Sequence, residues 1–598
     1  MEWQAETRVI VADEDDAALR VLDADTLEER SLLRLASSPG HVAVGRGGRM
    51  FVTLRHENQL AVIEAGDDGR LHQAGVIETD VEPVAVASHP DGGVMVTAAW
   101  GRTLTRYDEA GARSWSVPLA AEPRGLALDE TGTTAFVAHA AGSALTRVKL
   151  EAMPSAEALR FSGVDQTDWM VDIGFRPPSA KPRAPLAVKF ADDLPIPEST
   201  SSPRRVSQGF AVVVAGGYAY MPGTVVYPRP SGGGGGAYGS GGALAAQEPL
   251  IAAVDVDGKE VRLRVLDGAF SPAAHAIRHS PSHHRDSCLL PRDVAFDRRG
   301  HLLVVCHGQD EVLAYPAEPR SMLAVRRARW TVPSGPVSIA VEKESGRAYV
   351  YSLEANTVSR LALPNKGSSP RGKGTEKPVV ERRLALLSRG RRATALTESA
   401  RRGRRLFHRV GDGRVSLDGR SCASCHPDGR TDGLTYPTRQ GLRQTPMLAG
   451  RLAADTAPYG WEGDAQRIED HLAITFRRLR GKGFGPNDMS DLLAWLREMK
   501  TPRRPPPPDP GAVSEGRRLF FDDANFGCAV CHVEGGGSNG QRHAVGTKTE
   551  VDTPSLRFVA GTAPYFHDGR FATLDELLLK TAGEMGWNAD ITVDERRA

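Results

Sequence analysis

The sequence predicts a multidomain protein in which an N-terminal all-β seven-bladed propeller is followed by two all-α domains. Three observations predict it. Short apolar stretches bounded by turn signals recur seven times across the first 365 residues, with a period near 40. From about residue 397 the chain turns Arg-rich, its apolar residues take helical spacing, and the whole stretch is doubled. Four of the six cysteines stand in two copies of one motif, Cys-x-x-Cys-His, 106 residues apart. A chain of 598 residues exceeds a single hydrophobic core. Lys plus Arg (75) cancels Asp plus Glu (74), so no global field draws the chain to nucleic acid or an anionic membrane. No run of 18 apolar residues occurs, so no integral membrane segment is expected.

The seven units open at Thr7, His41, Pro83, Pro123, Gly209, Pro291 and Pro336, the copy at Gly209 being blurred. Each reads as a strand, a Gly/Asp turn (PDGG at 90–93, DETGT at 129–133, DRRGH at 297–301, EKESGR at 342–347), a β-rich strand, a polar turn and a further strand. One such unit leaves its apolar faces bare. Stacking several around an axis buries them and removes free sheet edges. The units resemble lactonase-like and YVTN-type propeller repeats over residues 1–365, a resemblance that implies a fold and decides no function. Residues 151–204 and 227–290, the latter with SGGGGGAYGSGG at 231–242, lack this periodicity and are expected as long loops or disordered insertions covering a propeller face. Cys288 and Cys306 lie outside any Cys-x-x-Cys motif. They read either as a disulfide formed in an oxidising compartment or as a pair of buried thiols. His283 and His284 beside them read as part of a polar loop.

A Pro/Gly/Lys-rich linker is expected at 366–396, a first C-terminal domain at 397–502, a proline-rich linker at 503–511 and a second domain at 512–598. GRRLF at 403–407 returns at 516–520, TPML at 445 answers TPSL at 553, and TAPYGWEG at 456 answers TAPYFHDG at 562. Leu406 and Phe407, and Leu519 and Phe520, close the first helix of each half and are expected to pack inward. Leu492, Leu493, Trp495 and Leu496 form one face of a helix that closes the first half. In the second half Thr592 and Glu595 form a capping-box pattern just before Ala598. A closing helix is therefore missing there, and the second domain is expected to be truncated.

The Cys-x-x-Cys-His spacing brings two thiols within reach of the two vinyl groups of one haem while the histidine reaches the iron as proximal ligand. A zinc site or a dithiol redox pair would use the same residue types. Zinc, however, would need both motifs to converge on one ion, and each motif carries its own histidine and its own copy of the surrounding domain. Two all-α c-type cytochrome domains with two covalently bound haems are therefore predicted: Cys422, Cys425 and His426 for the first, Cys528, Cys531 and His532 for the second. Met585, in AGEMGWN, is the expected second ligand of the second iron, or else a core methionine. Met447 is a weaker candidate.

These motifs, with RQTPML, TAPYGWEG and TAPYFHDGRFATLDELL, resemble the di-haem cytochrome c peroxidase superfamily, which includes the haem enzyme that matures methylamine dehydrogenase. The resemblance covers 397–598. It implies that Trp461 relays electrons between the haems and that His567 stands near the haem pocket. The positions of the peroxidases' distal glutamine and catalytic glutamate correspond to His471 and to the region around Gly481, where no carboxylate is offered. His471 would ligate the first iron, act as acid or base beside it, or simply pack. The expected function is a periplasmic oxidoreductase, peroxidase-like or oxidising a substrate presented by the propeller. A non-catalytic electron carrier, with both irons six-coordinate and the propeller as docking module, is the alternative. A propeller hydrolase would need a metal ring that the sequence does not assign. Expected partners are a small cytochrome or cupredoxin, with peroxide or a protein as substrate. The basic run at 381–410 reads as a docking surface for an acidic partner or as a solvated helix face. Covalent haem attachment in bacteria occurs outside the cytoplasm, so an export signal upstream of Met1 is expected, since MEWQAETRVIVADEDD has none of its features.

Overall fold

Seven sheets, formed in chain order from 8–34, 39–78, 83–118, 123–160, 205–266 with 323–324, 291–331 and 336–385, make the seven blades of a propeller, every pairing being antiparallel except that of Leu323–Ala324 with Val265 and Leu266. The structure is a computed structural model that describes residues 7–142, 144–151, 154–160, 205–226, 247–258, 261–266, 288–319, 323–324, 326–342, 346–363, 379–385, 396–438, 441–452, 456–503, 509–534, 537–545, 550–581, 585 and 591–597. Local chemistry repeats from blade to blade. Innermost strands begin at Pro39, Pro83, Pro123, Pro291 and Pro336, a strand's first position, where no ladder hydrogen bond needs the missing N–H. The hairpin that follows the next strand turns on a left-handed residue, among them Asn58, Asp310 and Asn356, types that tolerate this conformation.

The second strand of each blade is buried on both faces, as in Met50–Leu54 and Val94–Ala98, and therefore reads as an unbroken apolar run. Apolar clusters fill the gap between every consecutive pair of blades. Between blades 6 and 7, for example, Leu303, Val305, Val312, Trp330, Val350 and Leu361 interlock. Each such side chain contributes about 1.5–3 kcal/mol by leaving water. Among the described residues blade 1 has three strands, and it meets blade 7 through side chains: Tyr349 Oη donates to the Ala24 carbonyl at 3.1 Å, and Val9, Leu22 and Leu27 pack on Tyr349, Tyr351 and Val358.

Several stretches differ from the expectation. Ser155–Arg160 is the outer strand of blade 4, and Gln247–Asp255 and Val261–Leu266 belong to blade 5, although all three lie in segments expected as insertions. Val379–Ala385, within the stretch expected as linker, pairs with Thr357–Ala362 as the fourth strand of blade 7. Pairing to a neighbouring strand, rather than strong alternation of their own, defines these segments. Residues 161–204, 227–246 and 267–287, with the Gly-rich run and His283 and His284, lie outside the described residues. Cys288 and Cys306 are joined by a disulfide buried between blades 5 and 6, which resolves the open alternative.

The C-terminal region consists of eight short α-helices among the described residues: α1 (Glu398–His408), α2 (Cys422–Cys425), α3 (Ile468–Arg478), α4 (Pro486–Glu498), α5 (Pro510–Phe520), α6 (Cys528–Cys531), α7 (Leu574–Lys580) and α8 (Val593–Arg597). Two two-stranded ribbons, Thr435–Thr438 with Gly441–Gln444 and Arg542–His543 with Val551–Asp552, make it other than purely α. Thr397 caps α1 by accepting from Ala400 N at 3.1 Å. Helices α1 and α4 cross closely at Gly403, where a Cβ would lie 1.9 Å from the Asp491 carbonyl oxygen. Leu406, Phe407, Leu492, Leu493 and Leu496 are buried as expected. In the second half the capping box forms, Thr592 N donating to Glu595 Oε2 at 2.8 Å and Glu595 N to Thr592 Oγ1 at 3.3 Å, and it opens α8, which lies against α5. No helix among the described residues is long and apolar enough to cross a membrane.

The basic run is engaged within the molecule where it is described. Arg404 makes a bidentate pair with Asp15 at 2.8 and 2.9 Å, Arg405 donates to the Glu354 carbonyl at 3.1 Å, and Arg402 pairs with Asp491 at 2.7 Å.

Candidate functional site

The two Cys-x-x-Cys-His motifs adopt the same local structure. Each forms a single helical turn, α2 or α6, that ends at the histidine, whose N–H bonds back to the first cysteine's carbonyl at 2.9 Å (His426) and 3.0 Å (His532). This turn brings the two thiols to one side. None of these four cysteines forms a disulfide. Burial, with the neighbouring Cys425 adding to it, pushes the Cys422 thiol up to about 12, and burial also raises Cys528 and Cys531. A reactive dithiol pair needs the opposite, a thiolate favoured by nearby positive charge. Among the described residues no set of converging metal ligands includes these cysteines, so the motifs do not meet on a shared zinc ion.

The histidines were tested against haem ligation by their surroundings. Burial holds both rings neutral, at about 4, and so leaves a lone pair for a metal. The Nδ1 atoms of His426 and His532 are buried without a hydrogen bond of normal geometry. Backbone groups act on each ring against the burial: Arg430 and Pro446 on His426, and Pro554 on His532. These two prolines are the equivalent residues of TPML and TPSL. A carbonyl partner for Nδ1 orients a ligating imidazole and exposes Nε2 to the metal. The residues present fit a haem at each motif.

The first motif is seated on the propeller. Two residues past His426, Asp428 receives Arg292 of blade 6 at 2.9 Å, Arg124 of blade 4 at 3.4 Å and Arg55 of blade 2 at 3.7 Å. Burial opposes ionisation of Asp428, but these three guanidiniums outweigh it and hold the carboxyl well below its usual range. Arg430 donates to Glu82 at 2.6 Å, and Gln208 Nε2 donates to the Ser424 carbonyl at 3.0 Å. Cys425 packs with Val226 of blade 5, Leu434 and Tyr436. The Tyr436 hydroxyl donates to Asp432 at 2.7 Å, and burial pushes that carboxyl up to about 6.

Trp461 stands between the two halves. Its Nε1 donates to the Gln444 carbonyl at 2.8 Å, its own carbonyl accepts from Asp552 N at 2.9 Å, and its ring lies 6.4 Å from that of His567. Gln444 also joins the halves, its N donating to the His567 carbonyl at 2.8 Å and its Nε2 to the Thr562 carbonyl at 3.1 Å. His567 is buried, with Nδ1 unpartnered and Phe566 4.6 Å away, and burial holds it near 4. His471, on α3, lies close enough for its charge to act on His426. Its Nδ1 is buried without a partner, and burial followed by Arg478 holds the ring near 4. Gly460 leaves room for it, since a Cβ there would sit 3.0 Å from that nitrogen. Met585 packs with Tyr565, Phe571 and Leu577 beside His567, and Met447 lies in the apolar core around Phe407 and Ala423.

Three residues escaped the sequence reading. His543 Nε2 is 3.7 Å from Cys531 Sγ and 3.2 Å from Asn539 Nδ2, and its charge acts on His532. Asp552 occupies the position matching Gln444, directly before the Thr-Pro pair. Burial pushes its carboxyl up to about 7 against the Thr553 N–H and Arg542, and its Oδ1 has no hydrogen bond. Asp428 is visible only as the Asp two residues after the first Cys-x-x-Cys-His.

No family model and no curated protein matches the chain. Solved structures similar to the propeller include Kuenenia stuttgartiensis hydrazine synthase (12% identity, 60% of this chain and 93% of that one, TM-score 0.44). A Staphylococcus aureus virginiamycin B lyase (10%, 58% and 88%, 0.36) and a functionally unknown protein from Desulfotomaculum acetoxidans (12%, 60% and 93%, 0.39) are also similar. These likenesses concern fold alone.

Proposed function

We propose that residues 397–502 and 512–598 are two c-type cytochrome domains and that the protein is a di-haem oxidoreductase whose first centre is docked on the propeller axis. Cys422 and Cys425, and Cys528 and Cys531, would form the thioethers, and His426 and His532 the proximal ligands. When bound, each haem supplies a one-electron couple at its iron. The observation that carries this reading is the repeated setting of the two histidines, each a neutral imidazole at the end of a Cys-x-x-Cys turn with the backbone of an equivalent proline acting on its ring. Trp461, hydrogen-bonded to the first half and packed on His567 of the second, is suited to pass electrons between them. His471 stands beside His426 as an acid or base for a peroxide or a propeller-bound substrate. Met585 remains the proposed second ligand at the second centre.

A second reading is favoured by His471 itself. A neutral imidazole next to the proximal histidine is also suited to close the first iron, which would make the protein a six-coordinate electron carrier. The disulfide between Cys288 and Cys306 supports a periplasmic location for either reading. A small cytochrome or cupredoxin is the proposed redox partner.

The test is the intact mass and pyridine haemochrome spectrum of the protein produced with c-type maturation machinery. Two haems per chain are expected, and a mass equal to the amino acids alone would refute the proposal. A high-spin ferric band that responds to peroxide then marks the oxidoreductase, and two unresponsive low-spin centres mark the carrier.

A further inference from the structure

His307, Glu354 and His408 come from three separate places and meet in one buried spot. His307 opens the turn after the second strand of blade 6, Glu354 lies in a hairpin turn of blade 7, and His408 ends α1. Their exposures are 4%, 9% and 7%. One nitrogen of each histidine and a carboxylate oxygen of Glu354 lie within 4.8 Å of one another.

The hydrogen bonds define what each group offers. His307 Nδ1 is 3.1 Å from the Pro336 carbonyl, to which it donates, so Nε2 is the ring nitrogen turned to Glu354. That Nε2 lies 3.4 Å from Glu354 Oε1, and both atoms are buried without a hydrogen bond of normal geometry. The separation is too long for a charge-assisted hydrogen bond, which spans about 2.7–2.9 Å. Ser334 Oγ satisfies the other carboxylate oxygen at 3.0 Å. His408 Nδ1 is 2.9 Å from the Arg404 carbonyl and 3.6 Å from Glu354 Oε1. Burial opposes ionisation of Glu354, but His307, His408 and Arg404 outweigh it and hold the carboxyl down at about 2. Burial and then the charge of His307 hold His408 at about 3, neutral at working pH. A carboxylate oxygen thus faces an imidazole nitrogen in a dry setting, neither of them in a hydrogen bond of normal geometry. A cation bound between them would satisfy both.

The spacing fits one. Ligands at 2.0–2.2 Å around a tetrahedral ion stand about 3.3–3.6 Å apart, which matches the 3.4 Å between His307 Nε2 and Glu354 Oε1. Two imidazoles with one carboxylate select a first-row transition metal over magnesium or calcium. All three side chains line a cavity of about 470 Å³, which Arg405 and Arg409 also line. An open coordination position facing that space would take water or a small anion.

We propose that His307, Glu354 and His408 form a binding site for a divalent first-row transition metal at the joint of blades 6 and 7 with α1, open to the adjoining cavity. The site is independent of the haem reading. The full-length protein, treated with chelator and dialysed against zinc, is measured by mass spectrometry for zinc per chain, with iron counted separately. One zinc per chain is expected, falling at least tenfold in Glu354→Gln and His307→Gln and unchanged in His72→Gln, an exposed histidine of blade 2. X-ray absorption at the zinc edge should show two imidazoles. Wild type without stoichiometric zinc, variants that keep it, or an absorption spectrum lacking imidazole would overturn the proposal. If the variants misfold, the wild-type stoichiometry and spectrum decide it alone.

Discussion

The two Cys-x-x-Cys-His sites share a backbone and differ in their surroundings. Around the first, Ala423, Ser424 and Cys425 are buried, three blades hold Asp428, and His471 stands close to the proximal histidine. Around the second, α6 has no buried residue, and Val530 and Val533 are 45% and 38% exposed. One motif is walled in and the other lies near the surface. On the proposed haem reading, identical ligand chemistry would acquire two uses: the enclosed site suits reaction with a selected molecule, and the open one suits contact with a redox protein. The burial of surrounding groups, more than the ligands themselves, sets such differences.

The comparison breaks most completely if one site is deleted. Cys422→Ala with Cys425→Ala, and separately Cys528→Ala with Cys531→Ala, should each lower the intact mass by one haem. Only the first pair should also loosen the contact with the propeller, read by protease cleavage between residues 385 and 400. Equal cleavage in both variants would contradict the asymmetry.

Asp428→Ala comes next. It leaves Arg55, Arg124 and Arg292 without their shared carboxylate, and the expected loss is about 3 kcal/mol in urea, the low end for a buried pair because Asp428 keeps some solvent contact. The matching substitution at the second site, Glu534→Ala, touches only an exposed pair with Arg517 and should change stability by less than about 0.5 kcal/mol.

A pH-dependent difference follows from Asp552. Its folded-state value, about 7, lies above the ordinary 3.8, so the native state holds this proton more tightly. The stability it contributes is complete below about pH 3.8 and is lost as pH rises through 7. Asp552→Asn should flatten that decline, seen as urea midpoints measured from pH 4 to 8, and parallel curves for both proteins would show the carboxyl is not buried as described. A smaller effect than that of Asp428→Ala belongs to Trp461→Phe, which keeps a ring beside His567 but loses the bond to Gln444. About 1 kcal/mol is expected, together with slower electron exchange between the centres in stopped-flow reduction.

Much of this was legible in the sequence because repetition amplifies weak signals. A single Pro-initiated strand means little, and five of them at one period mean a ring. Blade 5 shows the limit: its inner edge is split into Arg205–Ser207 and Val213–Ala215, so the copy at Gly209 reads as blurred. Val379–Ala385 was invisible for another reason, since its ERR core lacks an apolar face and only pairing makes it a strand. The two thiols and the histidine of each Cys-x-x-Cys-His motif are local in sequence, so spacing alone makes them legible. His543, Asp552 and the His307, Glu354 and His408 cluster are assembled from segments that only the tertiary fold brings together, and no spacing rule reaches across them.

One feature of the ring has a mechanical meaning. Among the described residues no strand is shared between blades 1 and 7, and α1 spans that seam, gripping Asp15 on one side through Arg404 and the Glu354 turn on the other through Arg405. The helical region is therefore a clasp as well as a passenger. A hoop fastened in this way transmits strain at its fastening directly into the helix that precedes the first Cys-x-x-Cys-His motif.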